Sequence, residues 1–90
     1  MEQITLDEFK NATSVLNIYT KITKDDLRKR YLKLSKIHHP DFGGDEDKFK
    51  NLTKSYKILM SYIENFRFEL NEEEFKKQFP LSNFDSRFWF

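Results

Sequence analysis

The residues best suited to chemistry lie together near the middle of the chain, in the triplet His39-Pro40-Asp41. It offers an imidazole, a rigid ring and a carboxylate. The next residues are Phe42-Gly43-Gly44, which contain both glycines of the 90-residue sequence. Asp41 has no basic neighbour in this stretch, so we expect its oxygens to accept hydrogen bonds from a partner. An arginine suits that role best, because guanidinium and carboxylate can pair through two parallel hydrogen bonds.

A basic segment precedes the triplet. Between positions 24 and 36, Asp25 and Asp26 oppose the basic residues Lys24, Arg28, Lys29, Arg30, Lys33 and Lys36. Such a segment can steer an acidic partner while one acceptor gives specificity. A solvated helix surface is a simpler interpretation, and phosphate binding is another. The formal net charge of +1 and the acidic clusters at 45–47 and 72–74 argue against nucleic acid.

Two long helices are expected to hold the triplet between them. Thr23 and Asp26 have the spacing of a capping box, which predicts a second helix from Lys24 to about His38. Pro40 ends it, since proline has no amide hydrogen. Asp45 is the expected N-cap of a third helix of about six turns. The apolar positions of these two helices are Leu27, Tyr31, Leu34 and His38, then Phe49, Leu52, Tyr56, Leu59, Ile63 and Phe66.

Shorter helices are expected at both ends of the chain. Thr5 and Glu8 predict a first helix to about Asn17, with an apolar stripe of Leu6, Phe9, Thr13 and Leu16. Asn71 is the expected N-cap of a fourth helix from Glu72 to about Gln78. Leu70 before it and Phe75 after it have the spacing of a hydrophobic staple. An aromatic tail follows at 81–90, with Phe84, Phe88, Trp89 and Phe90.

These elements predict an all-α domain over residues 1–80. The short link makes helices two and three an antiparallel hairpin, braced by the N-terminal helix and trailed by the C-terminal one. The tail at 81–90 either packs on the domain or binds a client or adaptor protein.

Several classes of protein are disfavoured by the composition. The chain has no cysteine, and His38, His39 and Asp41 are a poor ligand set for a metal. No nucleophile–base pair or phosphate-binding glycine motif is present, so we expect neither an enzyme nor a cofactor. No apolar run approaches the roughly 20 residues of a membrane span. The N-terminus lacks the features of a signal peptide, and we expect the protein in the cytoplasm.

The pattern resembles the J-domain of the DnaJ co-chaperone family over roughly Ser14 to Met60. The residues that carry the resemblance are Tyr31, Leu34, His39-Pro40-Asp41, Gly43-Gly44-Asp45, Phe49, Leu52, Tyr56 and Leu59. The tripeptide alone is a weak signal. Its position between a basic amphipathic helix and a long apolar-striped helix is far more specific.

The resemblance implies a co-chaperone that docks on an ATP-bound DnaK-type chaperone and stimulates its ATP hydrolysis, without catalysis of its own. It assigns chaperone contacts to His39, Pro40, Asp41, Arg28, Lys29, Lys33, Lys36 and Tyr31. The sequence departs from the family at Leu32, Ile37 and Phe42, where basic residues are common, and at His38, where an aromatic is usual. A non-stimulating interaction adaptor with the same fold is the main alternative, ahead of a nucleic-acid-binding domain.

Overall fold

The computed structural model describes residues 3–79, and within that range all regular structure is helical. The elements are α1 (Leu6–Val15), α2 (Lys24–His38), a 3₁₀ turn (Pro40–Phe42), α3 (Glu46–Glu64) and α4 (Glu72–Gln78). The all-α prediction is confirmed. Among these helices none combines the length and the apolar character needed to cross a bilayer. The predicted aromatic tail at 81–90 lies outside the described residues.

Each helix begins at a side chain that accepts hydrogen bonds from the free amides of the first turn. Thr5 and Thr23 do so through their hydroxyls, each at 3.1 Å. The carboxylate of Asp26 in turn accepts a hydrogen bond from the backbone N–H of Thr23 at 3.0 Å. This second bond completes the predicted capping box. Asp45 and Asn71 cap α3 and α4 in the same way. These starts coincide with the predicted ones because capping is a local interaction.

The end of α1 is fixed by a left-handed residue. Asn17 has a φ of 55°, and its N–H donates to the carbonyl of Ser14 at 3.1 Å. The N–H of Ile18 donates to the carbonyl of Thr13 at 2.9 Å. This pair of bonds is a Schellman motif. It reverses the chain and returns the side chain of Ile18 to the core.

The core lies between α3 and the two helices that pack on it, α1 and α2. Its buried apolar residues are Ala12, Leu16, Leu27, Leu52 and Leu59. A fully buried leucine side chain stabilises the fold by about 1.5–3 kcal/mol. Since residues 3–79 bury only a few such side chains, this part of the chain depends strongly on each of them.

Two predicted core positions are wrong. Leu6 is 66% exposed, because the buried face of α1 runs through Phe9, Ala12 and Leu16, and Leu6 lies about 90° from the centre of that face. Phe66 lies beyond the end of α3 and is exposed. The helix stops at Asn65, whose backbone N–H and side-chain amide both donate to the carbonyl of Ser61.

Contacts between α2 and α3 confirm the antiparallel hairpin. Lys24 at the start of α2 forms an ion pair with Glu64 at the end of α3, with 3.2 Å between Nζ and Oε1. In the middle, the rings of Tyr31 and Tyr56 stack with their centroids 4.2 Å apart. The bend therefore lies at the opposite end of the hairpin from this ion pair.

The segment after α3 exposes apolar side chains. Leu70 is almost fully exposed, so the predicted staple between Leu70 and Phe75 is wrong. Phe68 is 74% exposed, although its ring touches that of Phe66 with centroids 5.1 Å apart. The ring of Phe75 in α4 contacts that of Phe79, the residue after the helix.

Candidate docking surface

The bend between α2 and α3 is a compact 3₁₀ turn. The chain leaves α2 at His39, whose extended backbone (φ −66°, ψ 133°) is the conformation that a following proline favours. The carbonyl of His39 then accepts from the N–H groups of Phe42 at 3.0 Å and Gly44 at 3.1 Å. Gly43 donates to the carbonyl of Pro40 at 3.0 Å. Three backbone hydrogen bonds thus hold the residues between the two helices.

The two glycines of the bend are needed for different reasons. Gly43 has a φ of 81°, a left-handed conformation that costs other residues free energy. Open space surrounds the position where its Cβ would lie. A Cβ on Gly44 would instead overlap the backbone Cα and carbonyl group of His38. The start of α3 can approach the end of α2 this closely only because Gly44 has no side chain.

His39 is a structural residue of the bend. Its Nδ1 accepts a hydrogen bond from the backbone N–H of Asp41 at 3.1 Å. An accepting Nδ1 has no proton, so in this geometry the N–H of the ring is on Nε2. The ring also meets Phe49 of α3 edge-on, with centroids 4.9 Å apart. These two contacts tie the bend to α3 and set the direction of the next two residues.

Asp41 presents a free carboxylate at the tip of the bend. Its side chain is 83% exposed, and none of the lysines and arginines between residues 3 and 79 pairs with it. Its Oδ2 lies 3.7 Å from Nδ1 of His39, but that nitrogen accepts from the Asp41 amide and has no proton to donate. The expected free acceptor is therefore present.

Four basic residues of α2 were assigned to the chaperone contact, and they differ in their ion pairs. Arg28 and Lys29 both pair with Asp25, at 3.0 Å and 3.1 Å, and these bonds lower the pKa of the Asp25 carboxyl, with Arg28 as the larger cause. In residues 3–79, Lys33 and Lys36 form no ion pair. Lys33 and Lys36 lie within about 60° of each other on the helix, together with Lys29. Lys33 and Lys36 are the unneutralised residues of this face, beside Lys29, which pairs with Asp25.

Tyr31 joins the two helices of the hairpin. Besides stacking on Tyr56, its hydroxyl lies 3.2 Å from the hydroxyl of Thr53 on α3, within hydrogen-bond distance. Its ring is half-buried. Every contact described for Tyr31 is therefore internal, and a chaperone contact for it stays a prediction.

Two residues of this site were missed by the sequence reasoning. Phe49 was assigned to the apolar stripe of α3, yet it also supports His39, and no sequence signal links these two positions. Asp25 was predicted only to lower the net charge of the basic segment, and its ion pairs were not predicted. Its pairing with Arg28 and Lys29 could have been found, because these residues lie three and four positions after it on one helix.

The DnaJ domain family matches residues 12–65, which include the last turn of α1, all of α2 and α3, and the bend between them. The chain belongs to the DnaJ domain family. The match leaves out the start of α1, as well as α4 and the residues around it. The prediction of family membership is confirmed, and the bend described above is its His-Pro-Asp loop.

Two relatives of this J-domain protein are named as DnaJ chaperones. It is 36% identical to the chaperone protein DnaJ of Staphylococcus epidermidis over 76 residues, 81% of this chain and 19% of the relative. It is 31% identical to the chaperone protein DnaJ of Lysinibacillus sphaericus over 84 residues, 90% of this chain and 22% of the relative. The chain thus spans about a fifth of the length of these relatives. No solved structure gives a significant match.

Proposed function

We propose that this J-domain protein is a co-chaperone, which docks on the ATP-bound form of a DnaK-type chaperone and stimulates its ATP hydrolysis. The observation that supports this most is the carboxylate of Asp41, which is exposed at the tip of the bend and pairs with no lysine or arginine of residues 3–79. A fixed carboxylate can receive a partner arginine without the cost of ordering a flexible loop. The protein acts by binding, and the ATP chemistry belongs to the chaperone.

Each residue of the loop has its own role in this proposal. Asp41 pairs with an arginine of the chaperone. His39 is a positioning residue, since it holds the Asp41 amide and rests on Phe49. Pro40 sets the start of the 3₁₀ turn and contacts the partner beside Asp41.

The basic face of α2 steers the encounter with an acidic surface of the chaperone. Lys33 and Lys36 contribute most to this field, because Asp25 partly neutralises Arg28 and Lys29. The same neutralisation argues against nucleic-acid binding, which depends on many free cations along the phosphate backbone. A J-domain adaptor that binds without stimulating remains the second candidate, and the exposed apolar residues Leu32, Ile37 and Phe42 favour it.

A single-turnover ATPase assay with the DnaK-type chaperone of the same organism tests the proposal. We expect the wild-type protein to accelerate hydrolysis and Asp41→Asn to lose the acceleration. His39→Gln should lose it as well, because glutamine has no aromatic ring to contact Phe49 while its side chain accepts from the Asp41 amide. Asp7→Asn is the matched control, since Asp7 is an exposed aspartate on α1 that forms no ion pair within residues 3–79.

Three results separate the candidates. Stimulation that survives Asp41→Asn would overturn the assigned mechanism. Binding without stimulation by the wild type would identify the adaptor. Salt-sensitive binding of DNA or RNA that is lost in the Lys29→Ala/Lys33→Ala double variant would identify the nucleic-acid binder instead. The cytoplasmic location and a partner for the tail at 81–90 stay predictions.

A further inference from the structure

Phe42 is a large apolar side chain exposed beside the free carboxylate of the bend. It is 74% exposed and follows Asp41 directly. Its backbone N–H donates to the carbonyl of His39 at 3.0 Å, and its ring lies 5.8 Å from the His39 ring, centroid to centroid. The backbone that carries the ring is therefore held by the same turn that presents Asp41, and the ring lies beside that carboxylate.

An ion pair in open water contributes little to binding. Exposed carboxylate–guanidinium pairs are typically worth about 0.2–1 kcal/mol, and Asp41 is 83% exposed. Such a pair strengthens when surrounding groups exclude water from it, as the apolar residues around interface hot spots do. Phe42 is the residue placed to do this, because it adjoins Asp41 in the chain and is fixed in the same turn.

The charges of α2 also indicate that docking needs an apolar contact. Arg28 and Lys29 form ion pairs with Asp25, and Lys24 forms one with Glu64, so the positive charge of these residues is partly neutralised. The electrostatic part of docking is correspondingly reduced, and an apolar contact must supply a larger part of the binding free energy. The partner that complements this site carries an apolar pocket next to its arginine.

We propose that Phe42 is the apolar anchor of the docking surface, and that it enters an apolar pocket beside the arginine of the DnaK-type chaperone that Asp41 engages. The inference rests on the proposed function and adds to it the chemistry of the partner's surface. Phe42 then selects among chaperones, because one with a charged surface at this position would have to bury that charge against the ring.

The test is isothermal titration calorimetry of the full chain with the ATP-bound DnaK-type chaperone of the same organism, held in that state by a hydrolysis-deficient variant. We expect Phe42→Ala to raise the Kd about 10- to 100-fold, the range for losing a buried aromatic anchor, and Phe42→Leu to keep most of the affinity. Phe68→Ala is the matched control, since Phe68 is equally exposed at 74% and lies after α3. The heat-capacity change of binding should become less negative in Phe42→Ala alone, as expected when apolar burial is lost.

We expect Phe42→Ala to stay folded, because the backbone hydrogen bond of residue 42 to His39 does not need the ring. Thermal unfolding of the variant checks this. Wild-type affinity in Phe42→Ala together with lost binding in Asp41→Asn would overturn this inference and leave the proposed function standing. Unchanged chaperone affinity with altered self-association in sedimentation would assign the ring to an interface between copies, which also overturns it. If the wild type does not bind the chaperone, the proposed function and the inference both fail.

Discussion

Replacing Gly44 with alanine should damage the bend more than the same change at Gly43. The new Cβ at Gly44 would overlap the backbone of His38, and overpacking of this kind costs about 1–3 kcal/mol. Relieving the overlap moves α3 away from α2 and breaks the hydrogen bond from Gly44 N–H to the His39 carbonyl, at about 1 kcal/mol more. We expect a loss of about 2–4 kcal/mol in the free energy of unfolding, a large part of the roughly 5–15 kcal/mol of a small domain.

Gly43→Ala is the matched comparison, because only backbone conformation is at stake there. Its φ of 81° should cost alanine about 1–2 kcal/mol, without any steric overlap. Urea unfolding followed by circular dichroism measures the free energy of unfolding of both variants. In a thermal melt of a domain of this size, 1 kcal/mol corresponds to about 4–8 °C in Tm. If Gly44→Ala were as stable as the wild type, or more stable than Gly43→Ala, the close approach of the two helices would not exist as described.

Three further predictions concern other parts of the chain. Asn17→Gly should stabilise the domain by about 0.5–1 kcal/mol in urea unfolding, because glycine adopts the left-handed conformation of Asn17 at no steric cost; a loss of stability would contradict the Schellman end of α1. Hydrogen bonds from Thr23, first from its backbone N–H, lower the pKa of Asp26. The resulting stability is present above the unfolded-state pKa of about 4 and disappears as the pH falls through the folded-state value. Asp26→Asn should therefore be less stable than the wild type at pH 7 and approach it in acid, and a constant difference across unfolding titrations would rule this out. A chain that ends after Pro80 should melt several degrees lower if the aromatic tail adds about 1 kcal/mol of packing, and an unchanged Tm would show that the tail does not stabilise the domain.

The sequence by itself determined the helices and the presence of the bend. Thr5, Thr23, Asp45 and Asn71 cap amides two or three positions away, and proline ends α2 through its own covalent structure. These interactions are local, so residue order is enough to place them. The free acceptor at Asp41 was also predictable, since its neighbours in the chain offered no cation.

Only the tertiary structure decided which residues become buried and which stay available. The choice of Ala12 over Leu6 depends on the rotation of α1 against α3, and the exposure of Phe66 depends on where α3 ends. The support of His39 by Phe49 and the tight passage of Gly44 past His38 exist because two helices distant in sequence meet at one end of a hairpin. Such positions are set by the packing of whole elements, which no short stretch of sequence encodes.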